Sequence, residues 1–88
     1  MALPTQRESW PRRVVRNPRI LGGEPTLEGT RVPVRTIVEA TRYIGPIDEI
    51  VSGYPMLDHT SVEIALDFYR RNQDEIDRYI AENQDPPD

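Results

Sequence analysis

The stretch VEIALDFYRRNQDEIDRYIA, residues 62–81, decides the fold class. At about 100° per residue, Val62, Ala65, Leu66, Tyr69, Ile76 and Ile80 share one helical face. Ile64, Phe68 and Tyr79 widen it to an arc of roughly 200°, against the ~100° stripe that packing on one core requires. The remaining face carries Glu63, Asp67, Arg70, Arg71, Asp74, Asp77 and Arg78. Asp67–Arg71 and Asp74–Arg78 stand at the favourable four-residue spacing. The phase runs through Asn72-Gln73, which predicts one long helix. Two arrangements satisfy so wide an arc. Either the helix is buried on two sides by its own domain, or it has an inner side for the core and an outer side for another chain. A short chain has little material to cover both sides, which favours the second.

Working back from this helix, two caps compete for its start. Thr60 with Glu63 spells a capping box, and Asp58 with Ser61 offers another two residues earlier. Before it, Pro46, Asp48 and Glu49 suit a helix N-terminus, Ile47, Ile50, Val51 and Tyr54 form a stripe, and Gly53 with Tyr54-Pro55 ends it. A further helix begins at Pro33. Val34, Ile37, Val38, Thr41 and Ile44 form its inner face, Arg35, Glu39 and Arg42 its outer face, and Gly45 its terminator. Upstream, Arg13-Val14-Val15-Arg16 reads as a short strand and Asn17-Pro18 as a turn. Ile20-Leu21 is a second short apolar run, and Thr30-Arg31-Val32-Pro33 is extended because a residue before proline avoids the helical region. These pieces predict a small antiparallel β element that needs helices behind it. The fold expected is mainly α, a trihelical, winged-helix-like core with an N-terminal β element. Residues 1–13 read as an arm, 14–82 as the domain and 83–88 as a frayed acidic tail.

The chain has 88 residues, no cysteine and nine prolines. One domain is expected. The lack of cysteine removes thiol catalysis, cysteine zinc sites and disulfides. No apolar run of about 18 residues is present, and no apolar leader core precedes the domain, so a cytoplasmic protein is expected. All 11 basic residues are arginine, against 15 acids. Residues 1–42 carry a balance of +4 and residues 43–88 a balance of −8. Such a layout suggests two different surfaces.

Five segments resemble a known family in the right order. They are Gly22-Gly23-Glu24-Pro25, Gly29-Thr30-Arg31-Val32-Pro33-Val34, Gly53-Tyr54-Pro55-Met56-Leu57, Val62-Glu63-Ile64-Ala65-Leu66 and Asp74-Glu75-Ile76-Asp77. They are similar to the small bacterial antitoxins catalogued as domain of unknown function 433, themselves similar to VapB-type antitoxins. The resemblance implies a helix-turn-helix fold, with the helix from Pro46 and the helix from Asp58–Thr60 as its pair. It also implies an antitoxin that binds and silences a PIN-like ribonuclease toxin, with operator DNA binding as a secondary activity; the alternatives are a stand-alone helix-turn-helix repressor without a toxin partner and a protein-interaction adaptor. A homodimer, or a larger complex with toxin, is expected.

Candidate sites follow. The opening of the second helix holds Asp58 and Glu63, with Asp67 a turn on, and carboxylates repel the phosphate backbone. The DNA candidates are therefore Arg12, Arg13, Arg16, Arg31 and Arg35, with Thr60 at the head of the helix. The alternative for these arginines is a solvated basic surface, or docking onto the chain's own acidic half. Arg31 has the further alternative of a structural ion pair. Apolar anchors ringed by charge suit a protein partner, which gives Ile64, Phe68, Ile76, Tyr79 and Ile80 as the toxin- or dimer-facing set. Enzyme chemistry is not expected. His59 is the lone histidine, its neighbours Asp58 and Ser61 are too close in sequence to orient a triad, and the glycines match no phosphate loop. No metal and no cofactor are expected.

Overall fold

The computed structural model describes residues 10–84. Residues 1–9 of the expected arm and 85–88 of the expected tail lie outside the described residues. The elements are β1 (Val14–Val15), a 3-10 turn (Leu21–Gly23), β2 (Thr26–Leu27), α1 (Val34–Tyr43), α2 (Ile47–Gly53), α3 (His59–Arg71) and α4 (Gln73–Glu82). The protein is mainly helical with a small antiparallel N-terminal sheet, as the periodicity predicts.

β1 pairs with β2 in the register Val14–Leu27 and Val15–Thr26. The far side of β2 is occupied by the segment leading into α1. The Leu27 N–H donates to Val32 O at 2.9 Å, the Val34 N–H donates to Pro25 O at 3.0 Å, and Thr26 and Pro33 face each other between them. In an antiparallel ladder the paired and unpaired positions alternate. Pro33 occupies an unpaired one, so its missing N–H costs this ladder nothing. The turn between β2 and this segment needs Gly29 at φ +80. Thr30 locks it, donating from Oγ1 to Leu27 O at 2.8 Å and accepting from the Val32 N–H at 3.0 Å.

The helices enclose the core. Val34, Ile37, Val38 and Ala40 of α1 and Ile50 of α2 are buried, as are Val62 and Ala65 of α3 and Ile76 and Ile80 of α4. Leu27 from β2 and Leu57 from the α2–α3 connection complete it. Each large side chain removed from water stabilises by roughly 1.5–3 kcal/mol before conformational entropy is subtracted. Of the two caps, α3 uses Asp58 with Ser61. The Ser61 N–H donates to Asp58 Oδ1 at 2.9 Å, and the Asp58 N–H donates to Ser61 Oγ at 2.9 Å.

One expectation is corrected. The predicted single helix over residues 62–81 is two helices, broken at Asn72, where φ is −140 and ψ is 41. The Asn72 side-chain amide donates to Phe68 O at 3.0 Å, and the Asn72 backbone carbonyl accepts the Ile76 N–H at 3.1 Å. A side-chain amide that competes for helix carbonyls suits such a break. The bend swings α4 against α1, so that Ile76 and Ile80 reach exposures of 0% and 5%.

Candidate functional site

Four of the five arginines offered for DNA are spent inside the chain. Arg12 forks onto Asp58, with Nη1–Oδ1 at 3.0 Å and Nη2–Oδ2 at 2.8 Å. Arg13 meets Glu28 at 2.8 Å. Arg16 meets Glu75 of α4 at 2.8 Å and lies over the Phe68 ring, 5.3 Å from its centroid. Arg35 binds Glu24 at 2.6 Å, with side chains only 17% and 7% exposed. That last pair fastens the Gly22-Gly23-Glu24 turn to α1 and takes Arg35 out of reach of a phosphate. The Arg12 guanidinium, helped by the Ser61 N–H, holds the Asp58 carboxyl down to about 2. The Arg13 hydrogen bond lowers Glu28 and is itself answered by a raised Arg13. Arg31 is exposed and enters no ion pair with a described residue.

The strand period explains the arrangement. Residues 12, 14 and 16 share one side of the chain. Arg12 reaches the start of α3 and Arg16 the start of α4, so the two strap β1 across the helices. Between the straps, Val14 lines a groove of about 610 Å³ with Thr60, Ile64 and Phe68. Ile64 and Phe68 pack against the core yet stay partly exposed. Arg12, Arg13, Glu63, Asp67 and Arg71 line the same groove. Asp67 already holds Arg71 at 2.9 Å and Arg70 at 3.7 Å, and Glu63 faces His59 at 3.6 Å.

The partner set divides. Ile64 and Phe68 sit at the groove and Tyr79 is partly exposed on α4. Ile76 and Ile80 are core residues instead, because the bend at Asn72 turns them onto α1. Thr60 is exposed at the head of α3 and lines the groove with Glu63 and with Arg12 and Arg13, whose guanidiniums are already paired. The outer face of α4 presents Asp74, Asp77, Arg78 and Glu82, all exposed, and the expected Asp74–Arg78 pair is not formed there. Tyr69 donates its hydroxyl to Asp77 at 2.8 Å.

The residues that sequence reading missed are the acceptors: Glu24, Asp58 and Glu75 as partners of Arg35, Arg12 and Arg16. The opposed charge of the two halves was the available signal, and docking onto the acidic half is what Arg12 and Arg16 do. Among the described residues no group of three or more histidines and carboxylates is placed to hold a metal ion. No helix among them is long and apolar enough to cross a membrane.

A family model described as "Protein of unknown function (DUF433)" matches residues 14–69. The fold is similar to that of a DUF433 member protein from Anabaena variabilis ATCC 29413, known from a crystal structure. The two share 31% sequence identity at a TM-score of 0.74, over 80% of this chain and 69% of that one. No curated protein matches the chain.

Proposed function

The chain belongs to the DUF433 family, and on that premise we propose that it is the antitoxin of a toxin–antitoxin pair. In this reading it silences a PIN-like ribonuclease by covering it and does no chemistry of its own. The observation that carries the reading is where charge is left over. The arginines at 12, 13, 16 and 35 are neutralised in place, whereas α4 keeps Asp74, Asp77 and Glu82 exposed with Arg78 as its lone cation. A ribonuclease must offer basic surface to its polyanionic substrate. An acidic helix competes for that surface and speeds the encounter. Tyr79, partly exposed on the same helix, supplies an aromatic anchor of the kind interfaces favour.

Operator binding has less behind it, since Arg31 alone of the five arginines keeps an unpaired guanidinium among the described residues. The test is co-expression with the adjacent open reading frame. The expected result is a stable complex without ribonuclease activity. Asp74→Arg with Asp77→Arg should weaken that complex at least about tenfold and restore RNA cleavage. A complex indifferent to the charge reversal, or a neighbour that neither binds nor cleaves RNA, would overturn the proposal.

A further inference from the structure

The loop that joins β1 to β2 carries a leucine that its own fold leaves largely unused. Leu21 stands at φ +51, in the left-handed region that is unfavourable for residues with a branched or bulky side chain. Gly22 and Gly23, at φ +65 and +93, pass through the same region without that penalty. Strain of this kind persists only where something offsets it. Burial does not: Leu21 is 46% exposed and stands outside the hydrophobic core. Tyr43 and Ile44 are exposed too, but their backbone is ordinary, and Leu21 alone among the described non-glycine residues has a positive φ.

The loop is held stiffly around this side chain. The Ile20 N–H donates to Asn17 O at 2.8 Å and the Gly23 N–H to Ile20 O at 3.0 Å. The Arg19 N–H donates to Asn17 Oδ1 at 2.9 Å. The Arg16–Glu75 pair fixes one end of the loop to the first turn of α4, and the Glu24–Arg35 pair fixes the other to the first turn of α1. The loop therefore emerges beside the helix whose acidic outer face the antitoxin reading assigns to the toxin. Between residues 17 and 23 the one charge is Arg19, which is exposed and whose guanidinium pairs with no described carboxylate.

We propose that this loop is a second contact for the toxin, in which Leu21 fills an apolar socket and Arg19 meets a carboxylate at the socket's rim. The inference rests on the antitoxin reading and deepens it. The loop's chemistry selects a protein over nucleic acid. A polyanion would find a single cation here, whereas a protein surface can supply both the apolar concavity and the carboxylate. A stiff loop also loses little freedom on docking, so the strain at Leu21 is offset by burial in the complex.

The test uses the full chain and the product of the adjacent open reading frame, titrated against each other by calorimetry. Leu21→Gly removes the knob and the strain together. It should weaken the complex at least about tenfold, while the free chain unfolds at a urea midpoint no lower than the parent's. Leu21→Asn suits the same backbone without the added freedom of glycine, and should weaken the complex as much. Arg19→Glu should also weaken it at least about tenfold, and less so in about 1 M salt. A complex that Asp74→Arg with Asp77→Arg weakens, but that both Leu21 variants leave as tight, would overturn this inference and spare the antitoxin reading. A urea midpoint lowered in both Leu21 variants would overturn it as well, by showing that the leucine serves its own fold. So would duplex DNA binding by the free chain that Arg19→Glu abolishes. If no complex forms, the antitoxin reading falls and this inference falls with it.

Discussion

Asp58 joins two constraints in one carboxylate. It caps α3 through the Ser61 N–H and receives the fork of Arg12 from the strand side. Asparagine caps a helix as well as aspartate does but carries no charge. Asp58→Asn should therefore lose the Arg12 attraction and keep the cap, whereas Asp58→Ala should lose both. The expected cost is about 0.5 kcal/mol for the first and about 1–2 kcal/mol for the second, read from urea unfolding. The carboxyl titrates at about 2 in the folded chain, below its unfolded value near 3.9. A depressed carboxyl stabilises the fold fully above its unfolded value and loses that contribution as pH falls. The share of stability that Asp58 supplies should thus vanish between about pH 4 and pH 2. In Asp58→Asn that part of the acid unfolding curve should be flatter.

At the scale of elements, the bend at Asn72 separates what the sequence discloses from what it hides. Hydrophobic period and turn chemistry suffice for α1, α2 and a small N-terminal β element, because those signals are local; the strand at Thr26-Leu27 and the choice of Asp58 over Thr60 as cap needed the structure. The break between α3 and α4 is not local. Phase continues through Asn72-Gln73, and the break at Asn72, whose side chain bonds Phe68 O, is matched by the burial of Ile76 and Ile80 on α1. The candidate site was half legible for the same reason. Ile64 and Phe68 could be picked out as surplus apolar surface, but the carboxylates that claim Arg12, Arg16 and Arg35 lie 46, 59 and 11 residues away along the chain. Truncation separates the two parts of the apolar arc. Ile76→Ala should cost about 2–4 kcal/mol, the price of a core cavity, and Ile64→Ala less than about 1 kcal/mol in the dilute monomer. Equal losses at both positions, measured by denaturant titration, would contradict the bend.

For the whole molecule, the opposed charges of the two halves act first as internal fastening. Arg12 and Arg16 carry the N-terminal strand onto α3 and α4, and Arg35 holds the glycine-rich turn on α1. Replacing Arg12, Arg13 and Arg16 together by alanine should lower stability by about 1–2 kcal/mol. The loss should shrink in about 1 M salt, because exposed pairs are screened. If those arginines served only a ligand, the triple variant would unfold like the parent chain. The carboxylates Asp58 and Glu75 are a poor guide to function for the same reason, since their partners are structural.

Pro33 sets the limit on how far this architecture can propagate. At its position between the Leu27–Val32 and Pro25–Val34 bonds, the backbone nitrogen faces outward and carries no hydrogen. One margin of the ribbon is thus sterile, and the chain leaves it at once as a helix. Strand addition at this margin is blocked, which guards one side of the ribbon against edge-to-edge growth.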